Sequence, residues 1–209
     1  SKGCNGKSCN TNIITFTTYD GQTHTIKGCP QFEFLQSSKA TKAFFGGNRS
    51  GKTTAGAVEL VFHTTGLYPD WWSGRKFSRP ITGRVFCQDF AKGAKVIAKK
   101  LKMWYPKDSL ISVKKNNQGA ECEWYVKHRS GGISFFDVLP YEQDSASAEG
   151  GDGDVLLFDE PPPRQMYIAA TRGLIDSGGL CIFTLTPLKE PWLFDEIYNS
   201  KDPNVFSVI

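Results

Sequence analysis

The fold of this protein is decided by residues 46–53, which read Gly46-Gly47-Asn48-Arg49-Ser50-Gly51-Lys52-Thr53. The stretch matches the phosphate-loop pattern G-x-x-x-x-G-K-[ST] at every fixed position. Its glycines allow a tight turn in which successive backbone N–H groups face one anion. A helix that follows the loop adds the positive end of its dipole. We therefore predict that Lys52 reaches the β- and γ-phosphates of a nucleoside triphosphate and that the Thr53 hydroxyl binds Mg²⁺.

The flanking sequence supplies the strand and the helix that such a loop requires. Residues 42–45 are a short, mostly apolar strand, and residues 53–65 carry an apolar helical stripe that Gly66 closes. The alternative is a glycine-rich surface turn with an unrelated lysine. Such a turn would need neither the preceding strand nor the following helix. The predicted nucleotide-binding residues of this segment are Gly46, Gly47, Asn48, Arg49, Ser50, Gly51, Lys52, Thr53 and Thr54.

A second acidic motif follows the apolar run at residues 155–158. Asp159 and Glu160 come directly after it, and ligands of open α/β sheets bind at the carboxyl ends of strands. We predict that Asp159 holds Mg²⁺ through water and that Glu160 orients and polarises the attacking water. A glutamate at this place favours hydrolysis of a nucleoside triphosphate by water over transfer of its phosphoryl group to a small acceptor. An acidic turn that merely ends a strand, before residues 161–163, is the alternative.

A further apolar strand at residues 180–185 leads into Thr184-Leu185-Thr186-Pro187. If this strand neighbours the acidic one, its hydroxyl groups lie beside Asp159. There they can bond a γ-phosphate or its water and report its loss to the rest of the domain. An ordinary Thr-Pro strand ending explains the same residues equally well.

The remaining sequence alternates between strands and helices. Beyond the segments above, the pattern predicts a strand at residues 83–87, a helix capped by Asp89 and ending near Tyr105, a hairpin from residues 121–128 and 133–138, helices at 164–172 and 192–199, and a last strand from Val205. Continuous apolar strands that alternate with helices indicate a parallel sheet covered on both faces. The predicted class is therefore α/β, a RecA-like (ASCE) P-loop NTPase.

Residues 1–30 differ from the rest and predict a small appendage before an ATPase domain at residues 31–209. Two β-rich runs flank Asp20-Gly21, which is typical of a two-residue hairpin turn that sets Thr17 opposite His24. A zinc site at Cys4, Cys9 and Cys29 is one interpretation of the local cysteines. That register places His24 roughly 16 Å from Cys29, so we favour free thiols over a zinc site.

Composition excludes several classes of protein. The chain has 209 residues, of which 39% are hydrophobic and 22% charged, and this excludes wholesale disorder. No apolar run approaches the ~20 residues that span a bilayer, and the start at Ser1 lacks the pattern of a secretory signal, so we expect no membrane association. The net charge of +4 fits a nucleic-acid partner without requiring one. Cys87 and Cys181 lie in apolar runs, which predicts buried thiols and a reducing compartment.

Taken together, these motifs resemble the ATPase domain of viral large terminase subunits, the DNA-packaging motors of tailed phages. The resemblance covers about residues 30–209 and depends on the phosphate loop, on Phe158-Asp159-Glu160 and on residues 184–187, in this order and spacing. It implies that Gln31, just upstream of the loop, contacts adenine. Residues 65–72 also resemble the loop that follows the first helix in one branch of the family.

The resemblance implies a motor that uses ATP to move double-stranded DNA into a procapsid, in the cytoplasm of the host cell. It implies self-association into a ring on a portal protein, a small terminase subunit as a partner, and a coupling role for Thr184 and Thr186. Two alternatives stay open. One is another P-loop DNA translocase or helicase-like ATPase, and the other is an ATP-binding assembly module with little turnover.

Two departures from the family pattern affect these expectations. We find no acidic cluster typical of the family's nuclease domain, so the sequence predicts the motor half alone. The segment 141–148 also lacks the arginine that many members carry before the acidic strand. The arginine finger is therefore unassigned among four candidates, Arg49, Arg129, Arg164 and Arg172.

Two basic segments have two interpretations each. The predicted second helix carries lysines that can grip DNA or simply form a solvated face, namely Lys92, Lys95, Lys99, Lys100 and Lys102. The loop after the first helix combines Trp71 and Trp72 with Arg75, Lys76 and Arg79, which suits either contact with a partner or packing over the sheet.

Overall fold

The computed structural model describes residues 14–17, 23–26, 29–142, 153–175, 177–186 and 190–209. The helices in this part of the chain are α1 (Cys29–Gln36), α2 (Lys52–Thr65), α3 (Gly93–Trp104), α4 (Arg164–Ile175) and a short α5 (Pro191–Leu193), which continues as a π-helical turn over Phe194–Tyr198. The strands are β1 (Ile14–Thr17), β2 (Thr23–Ile26), β3 (Thr41–Phe45), β4 (Thr82–Cys87), β5 (Leu110–Lys115), β6 (Glu121–Lys127), β7 (Ile133–Pro140), β8 (Val155–Asp159), β9 (Leu180–Leu185) and β10 (Val205–Val208).

Eight strands form one sheet in the order β10-β3-β9-β8-β4-β7-β6-β5. The first six in this order run parallel, because helical or long connections return the chain to the same end of the sheet. The last two are antiparallel, because Gly131 and Gly132 take positive φ values of 91° and 83° and turn the chain back between β6 and β7. The predicted hairpin is therefore the antiparallel end of an otherwise parallel sheet.

Helices cover both faces of the sheet, as the alternation predicted. One face packs against α1, α2 and α3 through side chains such as Leu35, Val61 and Ile97. The other packs against α4 and α5 through Met166 and Leu193. Across this second face, neighbouring strands stack their phenylalanines, with ring centroids 4.9 Å apart for Phe86 and Phe158 and 5.1 Å apart for Phe158 and Phe183. Burial on both faces explains why these strands are apolar without interruption.

Helix α2 lies very close to the sheet. A Cβ added at Gly56 would lie 2.7 Å from Thr184 Cγ2, so only glycine permits this approach. The helix ends at Gly66, whose φ of 69° is left-handed and whose N–H donates to Phe62 O at 2.8 Å. The close approach brings the first turn of α2 over the carboxyl ends of β8 and β9.

Two helix boundaries differ from the prediction. Helix α3 begins at Gly93 instead of directly after Asp89, because Asp89 caps a preceding turn by accepting the Lys92 N–H at 2.5 Å. Helix α4 continues through Gly173 to Ile175. An interior glycine costs a helix only about 1 kcal/mol, and Leu174 is buried in the second core.

The hairpin at the start of the chain forms its own two-stranded sheet. Thr17 lies opposite Thr23, and Phe16 lies opposite His24. The prediction that Thr17 lies opposite His24 is therefore wrong by one residue. Five residues, 18–22, separate the paired positions Thr17 and Thr23. Cys4 and Cys9 lie outside the described residues, and so do the five residues between the strands.

The tryptophan loop packs against α2. Trp72 is buried, its ring centroid is 5.2 Å from that of Phe62, and its Nε1–H donates to Arg75 O at 3.1 Å. The Arg79 guanidinium donates two hydrogen bonds to the Asp154 carboxylate, at 2.9 and 2.7 Å. Packing within the domain, one of the two interpretations, is therefore what the structure shows for Trp72. Among the described residues, no helix combines the length and hydrophobicity needed to cross a bilayer.

Candidate nucleotide-binding site

The strand order brings three motifs that are separated in sequence to the same end of the sheet, where the carboxyl ends of β3, β9 and β8 meet. Strand β9 lies between β3 and β8, and all three run parallel. Thr184 is the register partner of Asp159, and the Gly46 N–H donates to Leu185 O at 2.9 Å. The phosphate loop, the threonines and the two carboxylates therefore follow adjacent strand ends, which is where ligands of such sheets bind.

Two left-handed residues shape the phosphate loop. Arg49 has a φ of 68° and Gly51 a φ of 89°. A Cβ at Gly51 would lie 2.6 Å from Gln31 Nε2, so the glycine meets both a backbone and a packing requirement. Gln31 donates from this nitrogen to Ser50 O at 2.7 Å. Helix α1 thus supports the loop from behind, while residues 47–49 are exposed.

One carboxylate oxygen of Asp159 accepts hydrogen bonds from two hydroxyl groups. Thr53 Oγ1 donates to Asp159 Oδ1 at 2.8 Å, and Thr184 Oγ1 donates to the same atom at 2.7 Å. Burial raises the pKa of Asp159 to about 6, although both hydrogen bonds favour the ionised form. The site therefore contains a carboxylate with too few polar partners to be fully stabilised as an anion.

Glu160 lies against the phosphate-loop lysine. Its Oε1 is 3.0 Å from Lys52 Nζ, and this lysine is only 5% exposed. Thr186 donates its backbone N–H to Glu160 Oε2 at 2.9 Å and its hydroxyl to Oε1 at 3.0 Å. The φ of Glu160 is 72°, a left-handed value that non-glycine residues seldom adopt and that often marks functional sites.

The residues at this edge fit a magnesium ion. Mg²⁺ prefers hard oxygen donors, and the Thr53 hydroxyl and the Asp159 carboxylate lie 2.8 Å apart. Thr53 and Asp159 are therefore the residues that would hold the metal. Within the described ranges, no cluster of three or more His, Cys, Asp or Glu residues marks a second metal site.

Comparisons with known proteins identify the family of this chain. The family model described as "Terminase large subunit, T4likevirus-type, N-terminal" matches residues 43–200, which is more than half of the chain. The chain belongs to this terminase family. A curated relative, the large terminase subunit of Salmonella phage P22, is 28% identical over 194 residues, which cover 76% of this chain and 38% of the relative. The chain thus spans less than two fifths of that terminase.

Solved structures show the same fold. The large terminase ATPase domain of Thermus phage P74-26 superposes with a TM-score of 0.61 at 17% identity, over 81% of this chain and 68% of that one. A mutant of that domain gives a TM-score of 0.60 at 18% identity, over 81% and 69%. The predicted P-loop α/β class is therefore confirmed for this terminase-family chain.

The candidate arginines lie at two different edges of the sheet. Arg49 belongs to the phosphate loop, and Arg164 begins α4 just after β8, where it pairs with Glu196 at 2.8 Å. Arg129 follows β6, and its N–H donates to Thr65 O at the far end of α2. Arg172 lies toward the end of α4, also away from the phosphate loop. Only Arg49 and Arg164 are therefore on the nucleotide side of their own subunit.

Tyr141 is a site residue that sequence analysis did not identify. It follows β7, and its hydroxyl donates to Glu160 O at 2.7 Å, while its N–H donates to Cys87 O at 2.8 Å. Burial holds the pKa of Tyr141 well above its usual value, so the phenol stays protonated and remains a donor. No local pattern signals this role, because the partner is a backbone atom nineteen residues away.

Replacing Tyr141 by phenylalanine tests the support of Glu160. We expect the ATPase kcat to fall about 5- to 30-fold, because the lost hydrogen bond, worth roughly 1 to 2 kcal/mol, leaves the left-handed Glu160 less firmly placed. ATP affinity should not change, since Tyr141 touches no phosphate-loop residue in the described contacts. Tyr125→Phe is the matched control, because Tyr125 lies on β6 in the antiparallel part of the sheet. A changed ATP affinity with unaltered kcat would contradict this role.

The pKa of Asp159 predicts how the stability of the metal-free protein depends on pH. Because the folded pKa of about 6 exceeds the ordinary value of 3.8, the folded state keeps a proton that the unfolded state releases. Stability contributed by Asp159 should therefore fall as pH rises from about 4 to about 6, by up to about 3 kcal/mol. Urea unfolding of wild type and Asp159→Asn across this range isolates the effect. Equal pH slopes for the two proteins would show that Asp159 titrates normally.

Proposed function

We propose that this chain hydrolyses ATP to ADP and phosphate and that hydrolysis drives double-stranded DNA into a procapsid. One observation carries the proposal. Lys52 Nζ lies 3.0 Å from the Glu160 carboxylate while Thr53 lies 2.8 Å from Asp159, so the residues that we propose as phosphate clamp, metal-holding pair and base lie together at the carboxyl ends of adjacent strands. Membership of the terminase family supports the packaging role.

Each residue then has a role in hydrolysis. Lys52 and the loop backbone bind the β- and γ-phosphates, and Thr53 and Asp159 hold Mg²⁺. When bound, the metal neutralises negative charge on the phosphate oxygens. Glu160 accepts a proton from the attacking water and aligns it with the γ-phosphate. The family resemblance assigns the adenine contact to Gln31, which lies behind the loop on α1 and donates to Ser50 O.

Glu160 is held by two partners that ATP would affect differently. Lys52 is one, and a γ-phosphate competes directly for its ammonium group. Thr186 is the other, and its backbone and hydroxyl bonds to Glu160 do not involve the phosphate loop. We infer that triphosphate binding releases Glu160 from Lys52 and leaves it held by Thr186. This exchange supports the proposed coupling role of Thr186 and, through Asp159, of Thr184.

The partners follow from the same proposal. Self-association into a ring would bring a neighbour's arginine to the site. A portal protein, a small terminase subunit and duplex DNA complete the machine, in the cytoplasm of the host cell. We also propose that residues 1–30 are an appendage to the ATPase domain formed by residues 31–209.

Steady-state phosphate release, with and without duplex DNA, tests the proposal. Wild type should release phosphate in a Mg²⁺-dependent manner, and Lys52→Ala should lower turnover to background, because both the phosphate clamp and the Glu160 partner disappear. Lys39→Ala, at an exposed lysine outside the site, is the matched control. Binding of ATP without Mg²⁺-dependent release by wild type would favour the assembly-module alternative. Strand separation of duplex DNA would favour the helicase-like one.

A further inference from the structure

A basic groove lies between α3 and the turn that joins β5 to β6. Its volume is about 400 Å³, and its ionisable lining consists of four lysines and one glutamate, namely Lys95, Lys99, Lys102, Lys115 and Glu121. The ionisable lining of the groove therefore carries a formal excess of three positive charges.

Most of this charge is not neutralised by the protein. Lys102 pairs with Glu121 and lies over the Trp124 ring. Over the residues that the structure describes, no ion pair engages Lys95, Lys99 or Lys115. Like charges held close together repel one another, so the arrangement does not serve stability. A bound anion would remove that repulsion.

Helix α3 extends the groove into a line of charge. Lys92, Lys95, Lys99 and Lys102 recur every three or four residues, so they share one helix face, and all four are exposed. The opposite face is buried, for example through Ile97 and Leu101. From Lys92 to Lys102 the helix rises about 15 Å. We call this line together with the groove the α3 basic surface.

We propose that the α3 basic surface binds the phosphate backbone of double-stranded DNA, an assignment that rests on the proposed packaging function for the identity of the polyanion. A duplex presents a phosphate every 3.4 Å of axis on each strand, so the line of lysines faces about four phosphates of one strand. A rigid helix with regularly spaced cations complements a rigid, regularly charged rod better than it does a flexible acidic peptide. Backbone contacts of this kind carry no base specificity, which suits a motor that must move along any sequence.

The β5–β6 turn gives the surface a fixed second wall. The Asn116 side chain accepts the N–H groups of Gln118 and Ala120 at 3.0 and 2.9 Å, which holds the turn in place. Asn117 and Gln118 are exposed on this turn, so their amides are available to donate to phosphate oxygens. The wall carries Lys115 across the groove from α3. Both walls therefore present hydrogen-bond donors that are already held in position.

The surface is also connected to the proposed active site. Helix α3 follows β4, which pairs with β8 so that Phe86 lies opposite Phe158. Cys87 O at the end of β4 accepts the N–H of Tyr141, whose hydroxyl bonds Glu160. Helix α3 thus follows the strand that lies next to the one preceding Glu160.

Titration of a fluorescent duplex without nucleotide tests the proposal. The triple variant Lys95→Ala/Lys99→Ala/Lys115→Ala should lower the slope of log affinity against log salt by about 2 to 3, and the affinity at 0.1 M salt roughly 10²-fold. The control removes the same charge at exposed lysines elsewhere, as Lys39→Ala/Lys127→Ala/Lys201→Ala, and should leave the slope nearly unchanged. Circular dichroism checks folding. Single Lys95→Gln and Lys99→Gln variants, each expected to lower the slope by about 0.9, serve if the triple variant is unfolded.

Three results would overturn the assignment. One is a triple variant that binds duplex like the control. Another is a wild type that does not bind duplex at all in low salt. The third is loss of poly-glutamate binding with unchanged duplex binding, which would point to an acidic protein. Because the titration contains no ATP, these results are independent of whether the chain hydrolyses ATP, which phosphate release measures separately.

Discussion

Glu160→Gln is expected to bind ATP but to turn it over about 10²- to 10⁴-fold more slowly than wild type. Glutamine keeps the size of the side chain and one oxygen for Lys52, but it cannot take up a proton from water. The loss corresponds to about 3 to 5 kcal/mol of transition-state stabilisation. Nucleotide titration combined with single-turnover hydrolysis separates binding from chemistry.

The control for this prediction is Glu142→Gln, an exposed glutamate just beyond Tyr141. It should hydrolyse ATP at the wild-type rate. Full turnover by Glu160→Gln would show that another group accepts the proton. A loss of ATP binding would show that the carboxylate holds Lys52 in place and does not act on water.

Lys42→Met is expected to destabilise the folded chain by about 3 to 5 kcal/mol, because it leaves Glu59 as an unpaired buried charge. Lys42 Nζ lies 2.5 Å from Glu59 Oε1, and both side chains are at most 2% exposed. Glu59 also contacts His63 at 3.4 Å. Burial lowers the pKa of His63, so the imidazole is neutral at pH 7 and does not replace the lost cation.

This buried pair also anchors α1. Lys42 Nζ donates to Phe34 O at 3.2 Å and to Ser37 O at 3.3 Å, which are carbonyls at the end of that helix. The helix carries Gln31, and Gln31 supports the phosphate loop. Denaturant unfolding at pH 7 measures the loss of stability, with Lys39→Met as the exposed control. Adding Glu59→Gln should recover part of the loss, since a neutral amide is cheaper to bury than a carboxylate. No recovery would assign the effect to the carbonyl bonds instead.

Local sequence was sufficient for the parts of the site that are continuous in the chain. The phosphate loop depends on glycines and a lysine within eight residues, and the acidic motif depends on an apolar strand with two carboxylates at its end. The alternation of apolar strands and helices was sufficient for the parallel sheet. These features are local because backbone conformation and hydrophobic periodicity are set by near neighbours.

The hairpin register shows where local reasoning was insufficient. Asp20-Gly21 is typical of a two-residue turn, yet Thr17 pairs with Thr23. Similarly, α3 begins three residues after the position that a cap at Asp89 suggested. In both cases several backbone arrangements satisfy the same local pattern, and the choice among them depends on the pairing or packing of the whole segment.

By itself, the sequence determined the glycine-rich loop and the acidic motif, whose residue types suit a triphosphate, and the strands that precede them. Only the tertiary structure decided that β9 lies between β3 and β8, that Lys52 meets Glu160, that Tyr141 supports Glu160 from another strand, and that the lysines of α3 share a groove with Lys115. The physical reason is that strand order and side-chain contacts between distant segments are set by packing over the whole sheet, which no short stretch of sequence encodes.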